Sequence, residues 1–158
     1  MKHLVATLIL FASFSFSMLS CGKDKDADIM KENNNRNPNN QLGGKMKITV
    51  GSAVFTATLN DNQAANTFKA MLPLSITMED LNSNEKFYNF SSTLPTSALA
   101  GGNIQVGDLM LYGNNCLVLF YEGFNTSYSY TRLGKLDDIS GLSAALGSGS
   151  VNVRFELQ

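Results

Sequence analysis

The sequence predicts a mainly β domain with minor α content, a closed barrel of about eight short strands with one or two short helices. Three observations carry this prediction. The chain is 44 % hydrophobic and 16 % charged, which is typical of a folded protein. Between Met46 and Gln158 apolar residues recur mainly at every second position, which is the period of a strand. Short turn-forming segments separate these runs, and closing the sheet into a barrel would leave no open edge.

A β-hairpin and then a helix are predicted at the start of the domain. Residues 46–50 and 53–59 alternate on either side of a tight turn at Gly51-Ser52. Residues 60–62 (Asn-Asp-Asn) supply N-cap side chains for the helix, and Pro73 ends it. Its apolar face comprises Ala64, Ala65, Phe68, Met71 and Leu72.

Four strands are predicted in the middle of the domain. Residues 74–81 and 86–90 form the first two, and residues 104–112 form the third, with a turn or bulge at Gly107-Asp108. Residues 116–121 are the strongest apolar run and indicate a buried strand. Residues 91–102, rich in Ser and Gly, predict a loop.

The end of the domain predicts a short strand, a helical turn and a last strand. The short strand covers residues 133–136, and the helical turn covers residues 140–146 and is closed by Gly147. Residues 151–157 alternate cleanly and form the last strand.

The first twenty residues predict an export signal of the lipoprotein type. A short positive start precedes an uncharged stretch, residues 4–19, that is broken by three serines and is too short for a comfortable membrane span. The segment Met18-Leu19-Ser20-Cys21 resembles a bacterial lipobox, in which the cysteine receives a diacylglyceryl group and becomes the new N-terminus. The resemblance implies that Cys21 anchors the mature protein to a membrane. The alternative is an ordinary secretory signal with a chance cysteine.

Residues 21–45 predict a disordered, Asn-rich tether between the lipidated cysteine and the domain. The segment has no apolar periodicity and cannot bury enough surface to offset its chain entropy. Residues 23–26 (Lys-Asp-Lys-Asp) resemble the surface-export signals of Bacteroidetes lipoproteins, and a solvated spacer is the equal alternative. We therefore expect a cell-envelope protein, in the outer membrane and either periplasmic or surface-exposed.

Composition excludes several classes of function. A formal net charge of −1 gives no basic surface for nucleic acid. The single histidine is His3, inside the predicted signal peptide, so Ser-His-Asp, Cys-His and His-metal sites are excluded. The sequence contains no phosphate-binding glycine motif and no metal-ligand motif. We accordingly assign no cofactor, no metal and no catalytic residue.

The candidate ligand-binding residues are those of a tyrosine-rich strand and a neighbouring turn. Tyr128, Tyr130 and Arg132 are spaced by two and share one face of an extended strand. Flat aromatic area with hydroxyl and guanidinium donors suits a peptide or a glycan. Tyr112, Asn114 and Asn115 are expected to line the same cleft. The alternative is a barrel face whose tyrosines cover the core.

Other reactive groups are expected to be structural. Cys116 begins an apolar strand without a nearby histidine, which favours a buried, inert thiol. Asp108 is expected to bond backbone amides in its turn, and Asp137 and Asp138 to be solvated turn residues rather than acid/base or calcium groups.

Several segments resemble the small bacterial cyclophilin-like proteins. They are the opening strand pair, TFKAMLP (67–73), GDLMLYG (107–113), LVLFY (117–121) and SYSYTRLGKL (127–136). The resemblance implies a closed eight-stranded barrel with two small helices. Prolyl isomerases of the cyclophilin family use an arginine beside an apolar pocket with a histidine and usually a tryptophan. This domain has neither, and Arg132 and Arg154 do not stand in the isomerase motif, so no isomerase residue is carried over.

Together these features predict a lipid-anchored, extracytoplasmic, non-catalytic module that binds a peptide or another small ligand. Its expected partners are the membrane, through the lipid on Cys21, and a peptide, protein or glycan. One alternative is a weak peptidyl-prolyl isomerase, which needs Arg132 or Arg154 beside an apolar pocket. Another is a structural cell-envelope protein, which needs an exposed apolar patch without a cleft.

Overall fold

A computed structural model describes residues 44–158. The predicted signal peptide, Cys21 and all but the last two residues of the predicted tether lie outside the described residues. No helix among residues 44–158 is long and apolar enough to span a membrane. The strands are β1 (Lys45–Val50), β2 (Ala53–Leu59), β3 (Leu74–Leu81), β4 (Glu85–Asn89), β5 (Leu99–Ile104), β6 (Asp108–Tyr112), β7 (Cys116–Phe120), β8 (Phe124–Leu136) and β9 (Val151–Leu157), and the helices are α1 (Gln63–Ala70) and α2 (Leu142–Leu146).

Eight of the strands form a closed antiparallel ring. Their order is β2-β1-β9-β3-β4-β7-β6-β8, and β8 pairs with β2 to close it. Strand β5 pairs with β8 and stands outside the ring. The predicted fold class, mainly β in a closed eight-stranded arrangement with two short helices, is confirmed.

Ring closure depends on a close approach of two backbones at Gly134. Leu59 of β2 is the register partner of Gly134 in β8. A Cβ atom at Gly134 would lie 2.6 Å from the carbonyl oxygen of Thr58, closer than real Cβ contacts allow. Beside this point, Asp137 Oδ1 accepts a hydrogen bond from Thr58 Oγ1 (2.6 Å) and Oδ2 accepts one from Lys45 Nζ (2.8 Å). These bonds tie the start of β1 and the end of β2 to the segment after β8.

Helix α1 packs its apolar face against the interior of the ring. Asn62 caps it as predicted, because its Oδ1 accepts a hydrogen bond from Ala65 N at 2.9 Å. Phe68 is completely buried, with its ring 5.8 Å from that of Phe155 and 6.4 Å from that of Phe90. The helix ends at Ala70, just short of the predicted end.

The strands β6 and β7 are buried on both faces. Leu109, Leu111, Leu117 and Leu119 point into the ring and belong to the inner core. Residues on the opposite face form a second group, which we call the outer cluster: Ile104, Met110, Val118, Phe120 and Tyr130. Double burial explains why residues 116–121 are the strongest apolar run of the sequence.

Three predictions for the second half of the chain were wrong in extent. The strand expected over residues 104–112 is divided, because Ile104 ends β5 and β6 begins at Asp108 after a turn. Residues 99–104 form strand β5, where a loop was expected through residue 102. Strand β5 is rich in glycine and is fixed by its pairing with β8, and a Cβ at Gly101 would lie 3.0 Å from the backbone oxygen of Tyr128. The predicted strand at residues 133–136 is the end of β8, a strand of 13 residues. The first half of β8 is largely exposed on both faces, so it shows no apolar alternation.

Candidate functional site

A cavity of about 560 Å³ opens on the outer face of the sheet, outside the ring. We call it the aromatic cavity, because five aromatic rings line it: Phe87, Tyr112, Phe124, Tyr128 and Tyr130. Its polar lining consists of four asparagines and one carboxylate, which are Asn82, Asn84, Asn89, Asn115 and Glu85. Its volume lies within the range of about 300–1,000 Å³ that ligand sites occupy.

The register of the strands brings the lining residues together. Asn89 of β4 lies opposite Cys116 of β7, which lies opposite Tyr112 of β6. Tyr112 in turn lies opposite Tyr130 of β8, so one row of side chains crosses four neighbouring strands on the same face. Tyr128, two residues before Tyr130, extends the aromatic wall along β8.

The aromatic rings form a continuous contact chain. The ring of Tyr112 lies 5.9 Å from that of Tyr128 and 5.5 Å from that of Tyr130. Beneath them, the ring of Phe120 lies 5.5 Å from that of Tyr130 and 5.7 Å from that of Phe124. Tyr130 is buried, whereas Tyr112 and Tyr128 are exposed, the latter by 62 %. The chain of rings therefore leads from the surface into the cavity.

Glu85 places a carboxylate in this mostly apolar lining. The residue is 8 % exposed, and it takes part in none of the ion pairs formed by the described residues. Burial raises its pKa because the charged form loses water. Burial, with a further contribution from the Glu85 charge, raises the pKa of the Cys116 thiol and raises the pKa of Tyr130 to about 12.

Asn84 adds a buried acceptor. Its backbone oxygen accepts hydrogen bonds from the amides of Tyr121 (3.0 Å) and Glu122 (3.2 Å), which fixes the residue beside the cavity. Its side-chain Oδ1 is buried and has no hydrogen-bond partner among residues 44–158. Buried acceptors are normally bonded, so this atom is an exception at the wall of the cavity.

Four of the six predicted ligand-binding residues line the aromatic cavity, and two do not. Tyr112, Asn115, Tyr128 and Tyr130 line it. Asn114 does not, although its backbone oxygen anchors the amide of Leu94 at 2.7 Å.

Arg132 also lies outside the cavity lining. It is the register partner of Met110, and its Nη1 lies 3.4 Å from Asp108 Oδ2. The predicted Tyr-x-Tyr-x-Arg face is therefore divided: the two tyrosines face the cavity, and the arginine pairs with an acidic turn residue.

Of the aromatic, asparagine and carboxylate lining residues, sequence reasoning missed six: Asn82, Asn84, Glu85, Phe87, Asn89 and Phe124. The apolar run of β7 could have indicated them, because a strand that is buried on both faces needs side chains from other strands to cover its outer face. Glu85 and Phe87 alternate on β4, which pairs with β7. Predicting that they line the cavity requires knowing that β4 pairs with β7, and the order of strands in a sheet cannot be deduced from the residue pattern of a single strand.

The other reactive groups are held in structural contacts. Cys116 is half-buried and lines the cavity, so it is less buried than expected, while its raised pKa keeps the thiol protonated at neutral pH. Asp108 accepts a hydrogen bond from the amide of Gln105 at 2.9 Å, as expected of a turn aspartate. Asp137 binds Lys45 and Thr58, and Asp138 accepts from the amide of Ser140, and these bonds lower both pKa values. Within residues 44–158, no three His, Cys, Asp or Glu side chains are placed to hold a metal ion.

Comparison with known proteins supports the fold. The model of the Cyclophilin-like family matches residues 48–156. A search of the curated proteins gave no match. Among solved structures, the chain is similar to a hypothetical protein of Archaeoglobus fulgidus, determined in solution, with a TM-score of 0.56 and 12 % identity over 74 % of this chain and 96 % of that one. The family match spans nearly all of the ring described above, and the chain therefore belongs to the cyclophilin-like family.

Proposed function

We propose that the domain is a non-catalytic binding module that takes a short peptide segment or another small ligand into the aromatic cavity. The observation that carries this proposal is the convergence of five aromatic rings with asparagine amides around about 560 Å³. Aromatic rings supply binding area at a low cost in side-chain entropy, and amides orient a ligand through hydrogen bonds.

The positions of the two candidate arginines support binding rather than prolyl isomerisation. An isomerase of this kind needs a guanidinium beside an apolar pocket, where it stabilises the twisted amide. Arg132 faces Asp108, and Arg154 Nη2 lies 2.9 Å from Glu156 Oε1. Arg154 instead borders a smaller and more polar depression of about 290 Å³. Neither residue lines the aromatic cavity.

The binding proposal is tested by selecting from a random hexapeptide library on the full-length chain carrying Cys21→Ala. This substitution is used so that no acyl chain competes for an apolar cavity. Enriched peptides are then synthesised, and their Kd is measured by calorimetry. Tyr128→Ala removes an exposed wall of the cavity and is expected to weaken binding about tenfold or more.

The matched control is Val54→Ala, which removes an exposed apolar side chain from β2, away from the cavity. It is expected to leave Kd unchanged. Enrichment of no peptide, or equal losses in both variants, would overturn the proposal.

The absence of isomerase activity is tested on the same protein with a chromogenic proline tetrapeptide. We expect no acceleration of cis-to-trans isomerisation over the uncatalysed rate. Acceleration that disappears in Arg132→Ala or Arg154→Ala would replace the binding proposal with the isomerase alternative.

We further propose that Cys21 anchors the protein to the cell envelope through a diacylglyceryl group. The support is the uncharged stretch of residues 4–19 and the small residue Ser20 directly before Cys21. Cys21→Ala is expected to move the protein from the membrane fraction to the soluble fraction. Cys116→Ala, at the other cysteine of the chain, is the control and should stay in the membrane fraction. Unchanged fractionation of Cys21→Ala would refute the anchor.

A further inference from the structure

The lining of the aromatic cavity carries negative charge and no positive charge among the described residues. Glu85 is the one charged side chain that lines it among the described residues, and no lysine or arginine does. Glu85 lies in strand β4 opposite Phe120 of β7. A ligand group that enters there meets a buried acceptor without a protein cation to balance it.

Asn84 brings a second acceptor to the wall of the same cavity. Asn84 precedes Glu85 in the chain, lines the same cavity, and carries the buried Oδ1 that has no partner among residues 44–158. The buried carboxylate of Glu85, which has no ion pair with the other described residues, is satisfied by one kind of ligand group, a donor with positive charge.

The rings supply a third favourable element. Tyr112, Tyr128 and Tyr130 line the cavity, and the rings of Tyr128 and Tyr130 lie 5.9 and 5.5 Å from the ring of Tyr112. Aromatic faces carry negative charge density and attract ammonium groups, more strongly where water is excluded.

We propose that the aromatic cavity selects ligands that carry an alkylammonium group, with the ammonium between Glu85, Asn84 and the tyrosine rings. The proposal rests on the binding function proposed above for the same cavity, and it names the ligand class. The ammonium can belong to a lysine side chain of a peptide or to a free small amine, because both present the same chemistry.

Two matched pairs of probes test the proposal and distinguish the two sources. The peptide pair is acetyl-Gly-Lys-Gly-amide and its norleucine counterpart, which differ in the charged terminus of one side chain. The small-molecule pair is phenethylamine and phenethyl alcohol. Kd is measured for each by NMR titration of the full-length chain carrying Cys21→Ala. We expect the ammonium member of at least one pair to bind about tenfold more tightly than its neutral partner.

The variant Glu85→Gln identifies the origin of this preference. It keeps the size of the side chain and a hydrogen-bonding group while removing the charge. The ammonium preference is expected to fall to about twofold or less, and binding of the neutral partner is expected to stay the same. Glu79→Gln, at an exposed glutamate outside the cavity lining, is the control and should keep the full preference.

The outcomes separate this inference from the binding function. Neutral and ammonium probes of equal Kd, or a preference that survives Glu85→Gln, overturn the ammonium proposal while the binding function stands. Failure of all four probes also overturns it, and the hexapeptide selection then decides on the binding function independently. Preference in the peptide pair alone assigns a lysine-containing partner, and preference in the amine pair alone assigns a small amine.

Discussion

Lys86 Nζ lies 2.5 Å from Asp80 Oδ2, and the lysine side chain has no exposed surface. The same nitrogen donates hydrogen bonds to the carbonyl oxygens of Gly147 (2.8 Å) and Gly149 (2.6 Å). Tyr121 Oη donates to the same Asp80 oxygen at 2.6 Å, and its ring centroid lies 5.4 Å from the ammonium. Lys86 thus joins strands β3 and β4 to the turn between α2 and β9.

Lys86→Met is expected to lower the free energy of unfolding by about 2 kcal/mol, the usual size of a hydrogen bond to a charged group. The methionine keeps the apolar stem but gives the two glycine carbonyls no donor. Urea unfolding measures the loss. Lys47→Met, which removes the exposed partner of Glu156, is the control and is expected to change stability little. If both variants lost the same free energy of unfolding, burial of the Lys86 ion pair would not explain its contribution to stability.

Gly134→Ala is expected to destabilise the ring by about 2 kcal/mol, because the added methyl group overlaps the backbone oxygen of Thr58. Thermal unfolding followed by circular dichroism measures the effect. Gly123→Ala is the comparison, since its Cβ would meet one backbone oxygen at 3.2 Å and its φ is not positive. A melting temperature of Gly134→Ala at or above that of Gly123→Ala would show that β2 and β8 do not approach as closely as described.

Glu85→Gln is expected to change how stability depends on pH. The pKa of Glu85 is raised above its ordinary value of 4.5, so the native state binds a proton more tightly than the unfolded state does. The free energy of unfolding therefore falls as pH rises from 4.5 through the raised pKa. Glutamine carries no titratable proton, so the variant lacks this pH-dependent loss of stability. We expect its free energy of unfolding to exceed that of the parent at about pH 7 and to equal that of the parent at about pH 4.

The measurement is urea unfolding of both proteins at a series of pH values, and the difference between them is the relevant quantity. Cys116 and Tyr130 face Glu85 but stay protonated through this range, because their pKa values are raised. Three other carboxylates have lowered pKa values and titrate at more acidic pH: Asp80, Asp137 and Glu156. Their titration makes stability rise with pH, and it affects the parent and the variant equally, so it does not contribute to the difference between the two proteins. A constant difference across the series would show that Glu85 is not desolvated.

Phe68→Ala is expected to cost about 4 kcal/mol, since it leaves a cavity where α1 meets the inner core. Chemical denaturation measures the loss. Asn66→Ala, at an exposed position of the same helix, should leave stability nearly unchanged. A small loss at Phe68 would mean that the helix does not anchor the interior of the ring.

The elements that the sequence predicts best are those with a clear apolar pattern, either alternation in a strand with one exposed face or the unbroken apolar run of the doubly buried β7. The hairpin β1–β2, the strand β3 and the strand β9 match their predicted bounds to within one residue, because alternation records a single water-facing side. Helix α1 is recognisable from Asn62 and Phe68 for the same reason. Strand β5 shows no such pattern, since its residues Leu99–Ile104 are strand-forming through pairing with β8 rather than through propensity.

The candidate site is predicted in part for a related reason. Tyr128 and Tyr130 are adjacent on one strand face, so spacing alone places them together. The same spacing places Arg132 with them, but Arg132 pairs with Asp108, which comes from another part of the chain. Glu85 and Asn84 reach the cavity through the order of β4, β7, β6 and β8, which is a tertiary property.

Double burial of β6 and β7 divides two tasks between alternate residues of the same strands. Leu117 and Leu119 hold the interior, while Cys116 and Val118 face the cavity from the opposite side. The inner core and the cavity lining are thus formed by different positions, separated by a single residue along the chain. The lining of the aromatic cavity can therefore be redesigned by changing every second residue of β7 while the residues of the inner core stay the same.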